Sequence, residues 1–471
     1  MENIAVTVKV QLPEVKGERD AYHLVIFDET GSDVLLESRC SECHLPLIEI
    51  PKYTRPAYEI TTSLRDRRQL SSVLLFSGAL EQDADANYFA VLQVLERAPS
   101  IPKGAAWFRV DDAMDHLLEG AEHRVLNSSY AKATGENGSV CEPFARLNWI
   151  TDLQDWVRTV IGPLGLELRG FQQLNGTESF SLIRFATTLR PLWFKAVGKP
   201  NLHEFPVTLA LAKLFPEHLP LVLASRPTCH GWLMDDAGCT TLCETQSSDD
   251  WQRAAQALAD LQIESIGKAS DLLQTGCREL GLTTLVELVD PFLEVMQDLM
   301  HRQTKIPPPV LSREELTHLG MIVKHSLGCL KSLGVPETLG HSDFNPGNIL
   351  FSANRCTFID WAEAHVGHPF LTFEYLLSHL RKDCSNLARF EDVVRTAYSQ
   401  RWESILSGPS ISEAFMLSPL VSVYAYAVAG DIWRNPDMLN NPRVVGYLRS
   451  LTRRMNREAG SLQAQGVECL N

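Results

Sequence analysis

The residues best suited to chemistry lie in a short segment that begins at His341. Asp343 is followed five positions later by Asn348, and Asp360 comes at the end of a short apolar run. Charge on a transferred phosphoryl group is neutralised by Mg²⁺, which takes hard oxygen ligands from one or two side chains. Asn348 and Asp360 offer such oxygens. Asp343 is placed on an irregular loop, where a carboxylate can accept the proton of an attacking hydroxyl. His341 belongs to this catalytic segment, and we expect it to hold the loop's shape rather than to react.

The flanking sequence predicts the elements that would position these side chains. Ser312-Arg313-Glu314-Glu315 is typical of a capping box that opens a helix, and Gly334 is a stop signal after that helix. The segments Ile349-Leu350-Phe351 and Cys356-Thr357-Phe358-Ile359 predict a β-hairpin. Such a hairpin would return Asp360 toward the loop that carries the candidate base.

The segment from His341 to Asn348, with Ile359-Asp360-Trp361, resembles the catalytic loop and metal motif of the aminoglycoside phosphotransferase and choline kinase-like family. That family has a bilobal fold related to the protein kinases. It moves the γ-phosphate of a nucleoside triphosphate onto a small-molecule hydroxyl. The resemblance implies Asp343 as the catalytic base, and Asn348 and Asp360 as the Mg²⁺ ligands.

The resemblance covers the chain from about Trp149 onward. It departs from the family pattern at Gly367-His368-Pro369, where many members carry Gly-Asp-Pro. This departure concerns the local turn and not the residues expected to carry the chemistry. We expect His365, His368 and His379 to be core or turn histidines rather than ligands.

A smaller lobe is expected between about Leu166 and Gly238, and its candidate residues would bind the nucleotide. Lys195 lies on a predicted strand and can reach the α and β phosphates, with Glu204 as its ion-pair partner. The alternative is a surface pair with no catalytic role. No Gly-x-Gly-x-x-Gly is present, so hydroxyl and backbone N–H groups of Asn175–Ser181, Ser179 among them, are expected to cover the phosphates. The sequence pattern predicts strands over Leu174–Phe185 and Pro191–Val197.

The segment Gly231–Gly238 resembles the family's hinge, whose backbone hydrogen-bonds the adenine, and it contains Met234 and Asp235. A plain strand-to-loop exit is the competing interpretation. Beyond this segment the pattern turns helical.

The amino-terminal part predicts a separate α+β unit. Its order of short strands around a helix over Ala57–Leu70 loosely resembles a Nudix hydrolase domain. The signature helix of that family binds Mg²⁺ through a cluster of Glu, whereas the matching stretch here, Leu64–Gln69, is rich in Arg. We therefore expect this unit to be catalytically silent, and an unrelated accessory domain is the alternative.

The predicted fold class is α+β, with a bilobal protein-kinase-like fold preceded by the small Nudix-like unit. The predicted domains are an amino-terminal unit over residues 1–133, a linker over 134–148, a small lobe over 149–238 and a large lobe over 239–471.

Composition limits the partners. With a net charge of −15, the chain of 471 residues is not expected to bind nucleic acid, whose phosphates are gripped by Lys and Arg. The apolar run over about Leu417–Gly430 is expected to be too short to cross a membrane. No secretion signal is recognised at the start, so a cytoplasmic location is expected. The 11 Cys are expected to be reduced. Cys40-x-x-Cys43-His44 formally matches a haem attachment, and Cys239 with Cys243 could be half of a zinc site.

The leading hypothesis is an ATP- and Mg²⁺-dependent phosphotransferase that acts on a small hydroxylated molecule. A protein kinase is disfavoured because the Ala-Pro-Glu signature is missing downstream of Asp360. A nucleotide-binding sensor or scaffold is the alternative from another class. The sequence leaves open the substrate, ATP versus GTP, and the oligomeric state.

Overall fold

A computed structural model describes most of the chain, and it divides into two compact units. The described residues are 18–39, 42–80, 87–96, 104–117, 120–135, 142–238, 240–245, 247–352, 355–382 and 386–465. One unit consists of Met1–Phe205 with Leu221–Asp236, and the other consists of Pro206–Pro220 with Ala237–Asn471.

The first unit begins with a seven-stranded sheet. Its strands are β1 (Arg19–Phe27), β2 (Asp33–Arg39), β3 (Glu42–His44), β4 (Leu47–Pro51), β5 (Ser72–Ala79), β6 (Tyr88–Val94) and β7 (Ala105–Arg109). The main path runs β3-β2-β1-β6-β5, while β4 pairs with β1 and β7 pairs with β2. The pairing of β1 with β6 is parallel and the others are antiparallel. The helices of this segment are α1 (Pro56–Arg68), α2 (Val110–His116) and α3 (Ala121–Thr134).

Strand β1 is buried on both faces because successive side chains of a strand point to opposite sides of its sheet. Leu24 and Ile26 join one apolar core with Ile60 of α1. Val25 and Phe27 join a second core on the other face. The near-continuous apolar run of this strand follows from having a core on each side.

The rest of the first unit is a five-stranded antiparallel sheet. The elements of this part are α4 (Trp149–Ile161), β8 (Leu168–Gly176), β9 (Phe180–Thr187), β10 (Leu192–Val197), β11 (Val222–Arg226) and β12 (Gly231–Asp235). The strand order is β11-β12-β10-β9-β8. Helix α5 (Glu204–Leu214) follows β10 in the chain. The second core of β1 continues into this sheet through Phe185 and Phe194. The predicted boundaries at residues 133 and 149 therefore lie inside one compact unit. The division into domains stays a prediction.

One predicted strand of this sheet is wrong. Leu174–Phe185 was expected to be continuous, but β8 ends at Gly176 and β9 begins at Phe180. Thr177 makes the turn, since its N–H donates to the Phe180 carbonyl at 2.8 Å. Its hydroxyl also accepts from the N–H groups of Ser179 and Phe180, each at 3.2 Å. A short polar side chain that bonds to the backbone ahead of it competes with strand pairing in this way.

The second unit is mainly helical and contains two small sheets. Its elements are β13 (Thr240–Thr241), α6 (Ser248–Glu264), α7 (Ala269–Thr275), β14 (Arg278–Leu280), α8 (Leu282–His301), α9 (Arg313–Ser332), β15 (Thr338–His341), β16 (Ile349–Ser352), β17 (Arg355–Phe358), β18 (Ala364–Gly367), α10 (Pro369–Lys382), α11 (Glu391–Trp402), α12 (Gly408–Ala429) and α13 (Pro442–Ala464). One sheet has the order β13-β16-β17 and the other β14-β18-β15.

The local predictions around the catalytic segment are confirmed. Ser312 and Glu315 form the capping box of α9, because each side chain accepts a hydrogen bond from the other residue's N–H. Strands β16 and β17 form the predicted hairpin. The predicted α+β class is confirmed. An antiparallel five-stranded sheet followed by a mainly helical unit is the order expected for a protein-kinase-like fold, and that prediction is confirmed as well.

The long apolar run was expected to be too short to cross a membrane, but the helix that contains it is longer than the run. The run lies within α12, which has 22 residues and is the one helix in the described ranges long and apolar enough to cross a membrane by length and composition. Pro419 lies inside this helix. In its most apolar window 67% of the residues are buried. Burial of this kind is typical of a core helix, and length and composition alone are weak evidence for a span.

Candidate active site

The catalytic segment starts where β15 ends, at the buried His341. The Asp343 N–H donates to His341 Nδ1 at 3.1 Å, and His341 Nε2 lies 3.2 Å from the Ile359 carbonyl oxygen. Because Nδ1 accepts a hydrogen bond, the ring hydrogen of a neutral His341 lies on Nε2 and is donated to Ile359. One imidazole thus ties the candidate base to the strand end that precedes Asp360, in agreement with the expected shape-holding role.

Two side-chain amides hold the Asp343 carboxylate. Asn345 Nδ2 donates to Asp343 Oδ1 at 3.0 Å, and Asn348 Nδ2 donates to Asp343 Oδ2 at 3.2 Å and to its carbonyl oxygen at 2.9 Å. Two hydrogen bonds, one to each carboxylate oxygen, fix the orientation of this side chain. Since the amide nitrogen of Asn348 faces Asp343, the oxygen of that amide points away from the carboxylate.

Asn345 was missed at the level of sequence. Its Oδ1 accepts from the Gly347 N–H at 2.8 Å and so caps the short helical turn Pro346–Asn348. Asn before Pro is a turn signal, and that signal could have identified the capping role. The contact of its amide nitrogen with Asp343 depends on the folded loop.

Asp360 is exposed and adopts a left-handed backbone conformation, with φ 67° and ψ 62°. Asp tolerates this region better than most residues, at a cost of about 1–2 kcal/mol. The neighbouring Ile359 N–H donates to the Asn348 carbonyl at 3.1 Å. The hairpin thus brings residues 348 and 360 together. The amide oxygen of Asn348 and the carboxylate of Asp360 are hard donors of the kind that Mg²⁺ takes.

The other metal-site alternatives find no support among the described residues. No group of three or more His, Cys, Asp or Glu that could hold a metal occurs there. Cys40 and Cys239 lie outside the described residues. Cys43 and Cys243 are free thiols.

Partly buried and buried groups behind the loop fix its position. The Ser342 N–H donates to the Glu363 carbonyl at 3.0 Å, and the Glu363 carboxylate forms an ion pair with Arg278. The Ser342 hydroxyl lies 3.1 Å from His365 Nδ1. Burial lowers the pKa of His365 to about 4 and that of His368 to about 3. Both are core histidines, as expected.

Three tyrosines from three helices lie beside Asp343. The rings of Tyr375 (α10) and Tyr426 (α12) stack with centroids 5.3 Å apart, and the Tyr447 (α13) hydroxyl donates to the Tyr426 hydroxyl at 3.0 Å. Burial raises the pKa of Tyr375, and the Asp343 carboxylate raises it further. No sequence signal pointed to this cluster, because its members are far apart in the chain and helical spacing does not relate them.

Lys195 and Glu204 form a buried ion pair in the first unit. Lys195 Nζ lies 2.5 Å from Glu204 Oε1, and the two side chains are 12% and 2% exposed. The ammonium also lies 5.8 Å from the ring centre of Phe180 and 5.9 Å from that of Trp232. The alternative of a surface pair does not describe this arrangement.

The loop after β8 has the predicted hydroxyls at its tip. Thr177 Oγ1 and Ser179 Oγ lie 3.1 Å apart, and the Gly198 N–H donates to the Ser179 carbonyl at 2.7 Å. The N–H groups of Ser179 and Phe180 already donate to the Thr177 hydroxyl oxygen. The hydroxyl groups of this loop are therefore more accessible as donors than those two N–H groups.

Met234 and Asp235 end β12, which pairs with β10 and β11. The Asp235 N–H donates to the Leu221 carbonyl at 2.9 Å, and the Asp235 carboxylate accepts from Arg190 Nε at 2.6 Å. Strand pairing therefore uses part of the backbone that was expected to contact adenine. The hinge assignment stays a prediction.

Helix α1 of the amino-terminal segment presents guanidinium groups to a pocket of about 300 Å³. Its lining includes Arg19, Arg67, Arg68 and Glu49. Arg19 pairs with Glu49 at 3.4 Å, and Arg68 pairs with Glu37. Guanidinium groups do not ligate Mg²⁺, and the catalytic silence of this unit stays a prediction. The likeness to a Nudix domain stays a prediction.

Residues 246–404 match the model of a family described as the phosphotransferase enzyme family, and the match includes Asp343, Asn348 and Asp360. No curated protein matches the sequence.

Solved structures similar to this chain include the choline kinase of Cryptosporidium parvum Iowa II, at 13% identity, with 68% of this chain and 98% of that one covered and a TM-score of 0.48. The choline kinase LicA of Streptococcus pneumoniae is 15% identical over 66% of this chain and 99% of that one, with a TM-score of 0.42. The macrolide 2'-phosphotransferase MphH of Brachybacterium faecium is 14% identical over 64% and 97%, with a TM-score of 0.41. The family match is confined to residues 246–404 of the 471-residue chain.

Proposed function

We propose that this chain is an ATP- and Mg²⁺-dependent kinase that phosphorylates a hydroxyl of a small molecule, and the match of residues 246–404 to the phosphotransferase enzyme family supports the proposal. The observation that carries the proposal is the Asp343 carboxylate. It is held by the amides of Asn345 and Asn348 next to the hairpin that brings Asp360 to the same loop.

Asp343 is proposed to accept the proton of the attacking hydroxyl as that oxygen bonds to the γ-phosphorus. The bond from the γ-phosphorus to the oxygen that bridges it to the β-phosphorus breaks, and the nucleoside diphosphate leaves. The amides of Asn345 and Asn348 keep the carboxylate oriented. Asn348 and Asp360 would hold Mg²⁺, which when bound neutralises charge on the transferred phosphoryl group. His341 keeps the base in register with Asp360 through its two hydrogen bonds.

In the first unit, Lys195 is proposed to bind the α and β phosphates, and Glu204 to hold its ammonium in place. The hydroxyl of Ser179 is proposed to contact the phosphates, and the backbone of Met234 and Asp235 to contact the adenine. The burial of the Lys195–Glu204 pair supports this role, since burying two charges is costly and is seldom a by-product of surface pairing. ATP is proposed as the phosphate donor, and the assay described below compares it with GTP.

The tyrosines beside Asp343 support a small acceptor. Tyr375, Tyr426 and Tyr447 offer ring faces and hydroxyls next to the candidate base. Such a surface suits an amino alcohol, a sugar or an aminoglycoside, whose hydroxyls and ammonium groups can meet hydroxyls and ring faces. The acidic balance of the chain favours a neutral or cationic acceptor over nucleic acid. A cytoplasmic location is proposed.

The test begins with ATP or GTP, Mg²⁺ and a panel of hydroxylated metabolites, with release of the nucleoside diphosphate as the readout. With an acceptor in hand, Asp343→Asn should lower kcat by about 10²- to 10⁴-fold. Calorimetry should show that the variant still binds ATP. Asp298→Asn is the matched control, since Asp298 lies in α8 and pairs on the surface with Arg302, the residue just after that helix. The kcat of this variant should be unchanged.

Retention of full activity by Asp343→Asn would refute the assignment of the base. ATP binding without turnover on any acceptor would favour the nucleotide sensor instead. Turnover on a protein and on no small molecule would favour the protein kinase.

A further inference from the structure

The edge of the amino-terminal sheet is joined to the strand that leads into the proposed phosphate loop. Strand β5 is last in the order of its sheet. Its Leu74 N–H donates to Gln173 Oε1 at 2.8 Å, and Gln173 Nε2 donates to the Leu74 carbonyl at 2.9 Å. Gln173 belongs to β8 and is 3% exposed. One side-chain amide therefore takes the place of a neighbouring strand for both backbone groups of Leu74.

The chain passes close to β5 where β8 ends. A Cβ at Gly176 would lie 2.8 Å from Gln173 Nε2 and 3.2 Å from Leu74 Cδ2, so a larger residue would push on this contact. The pairing of β8 with β9 shifts register between Gln173 and Asn175, at the same point. The loop thus leaves its strand with its direction fixed against β5.

The tip of the loop is held by a second contact with the amino-terminal segment. Lys132 of α3 lies 2.5 Å from Glu178 Oε1, and its ammonium lies 4.4 Å from the ring centre of Phe76 on β5. On its other side the loop is bonded to the end of the Lys195 strand through Gly198. The loop is therefore held between the amino-terminal segment and the strand that carries the proposed phosphate-binding lysine.

The two contacts differ in strength. Glu178 is 57% exposed, and ion pairs this accessible contribute little to stability. Replacing Gln173 by an apolar residue would leave the buried N–H and C=O of Leu74 without their partner, which is far more costly. Gln173 should therefore carry most of the effect and Lys132 a smaller part.

We propose that the amino-terminal segment positions the nucleotide: β5 through Gln173, and α3 through Lys132, hold Asn175–Ser181 in the shape that covers the phosphates. Gln173 and Lys132 act through the loop and do not touch the nucleotide. This inference rests on the proposed function, because it takes Asn175–Ser181 to be the phosphate-covering loop.

The test uses the full-length chain with three variants and one control. Gln173→Leu should raise the Kd for ATP measured by calorimetry, and the KM for ATP, about tenfold, with a smaller change in kcat. Lys132→Glu should raise both about two- to fivefold, and the double variant Lys132→Glu with Glu178→Lys should restore them. Glu167→Gln is the control. It breaks an exposed ion pair with Arg169 on the same strand and should change nothing.

Hydrogen exchange of the nucleotide-free protein gives a readout that does not depend on activity. Amides 177–181 should exchange faster in Gln173→Leu and Lys132→Glu than in wild type, and the charge-swapped pair should return them to the wild-type rate. Unchanged loop exchange together with unchanged ATP affinity in both single variants overturns the inference. If Gln173→Leu does not fold, Lys132→Glu and its charge-swapped rescue decide it. A wild type that neither binds nor turns over ATP would instead refute the proposed function, whatever the loop exchange shows.

Discussion

At the scale of single residues, the catalytic segment depends on one neutral imidazole. His341 accepts from the N–H of its candidate base and donates to the carbonyl before Asp360. Spacing along the chain showed that these residues belong together. It did not show that His341 is their link, because a ring hydrogen bond across 18 positions exists only after folding.

His341→Leu should therefore lower kcat by about 10- to 100-fold, since two backbone groups near the base lose their partner at about 1–3 kcal/mol. The pH dependence of kcat should keep its shape, because the variant retains Asp343, the proposed proton acceptor. The measurement is a pH–rate profile of the variant beside wild type. Loss of an ionisation from that profile would mean that His341 itself exchanges protons in the reaction.

His368 gives a prediction on stability against pH. Its side chain is 1% exposed, and neither ring nitrogen has a hydrogen-bond partner among the described residues. Burial lowers its pKa to about 3, below the ordinary value of 6.5. The unfolded chain therefore binds a proton between pH 6.5 and 3 that the folded chain does not. The stability that the protein has with a neutral His368 is complete above pH 6.5, and the free energy of unfolding decreases as the pH falls from 6.5 toward 3.

His368→Leu should remove this loss and so reduce the difference in unfolding free energy between pH 7.5 and pH 5.5 by about 1 kcal/mol. Urea unfolding at the two pH values measures it. His365, with its pKa lowered to about 4, contributes in the same direction and remains in the variant. An equal pH dependence in variant and wild type would show that His368 does not titrate as its burial implies.

At the scale of elements, two glycines of the same unit allow the effect of side-chain packing to be compared with the effect of helix propensity. Gly340 lies opposite His365 in the pairing of β15 with β18, and a Cβ there would lie 2.3 Å from His365 Nε2. Gly328 lies on the exposed side of α9, where a Cβ would meet nothing within 4 Å.

Gly340→Ala should destabilise the protein by about 1–3 kcal/mol and lower activity, because the His365 ring must move beside the catalytic segment. Gly328→Ala should stabilise it by about 0.5–1 kcal/mol through helix propensity, with activity unchanged. Thermal unfolding and the kinase assay compare them. Equal effects of the two changes would mean that contact with His365 does not restrict the size of the side chain at position 340.

Elements built from local interactions were predictable. The capping box of α9 and the hairpin β16–β17 use residues within a few positions of each other, so their sequence signals survive folding. The strand predicted over Leu174–Phe185 ran across the break between β8 and β9, although Asn175-Gly176 within it is a turn signal. The sequence does not show that the Thr177 hydroxyl will bond to the backbone ahead of it, because that contact forms only in the folded turn.

At the scale of the whole molecule, one core joins the amino-terminal sheet to the kinase-like small lobe. Val25 and Phe27 of β1 share that core with Ile150 of α4 and with Phe185 and Phe194 of the five-stranded sheet. The core cannot be divided near residue 133 without exposing apolar surface on both sides.

Removal of residues 1–133 should therefore leave a chain that aggregates or binds an apolar dye, with weakened near-ultraviolet circular dichroism. The full-length chain, purified in parallel, is the control. A shortened chain that is monomeric, shows native circular dichroism and binds ATP as tightly as the full chain would contradict the shared core, and the positioning role of β5 and α3 with it.

The sequence by itself determined which residues are the candidates for the base and for two metal ligands of the proposed phosphotransfer. An acid, an amide and a second acid at these spacings on a loop and hairpin are a local pattern with few other uses. It also determined most elements, since periodicity and capping are local. Only the tertiary structure decided that Asn345 holds the base, that the tyrosines lie beside it, and that the amino-terminal sheet holds the loop after β8. These contacts join residues from separate helices and strands, and their energies depend on burial that arises only when the core forms.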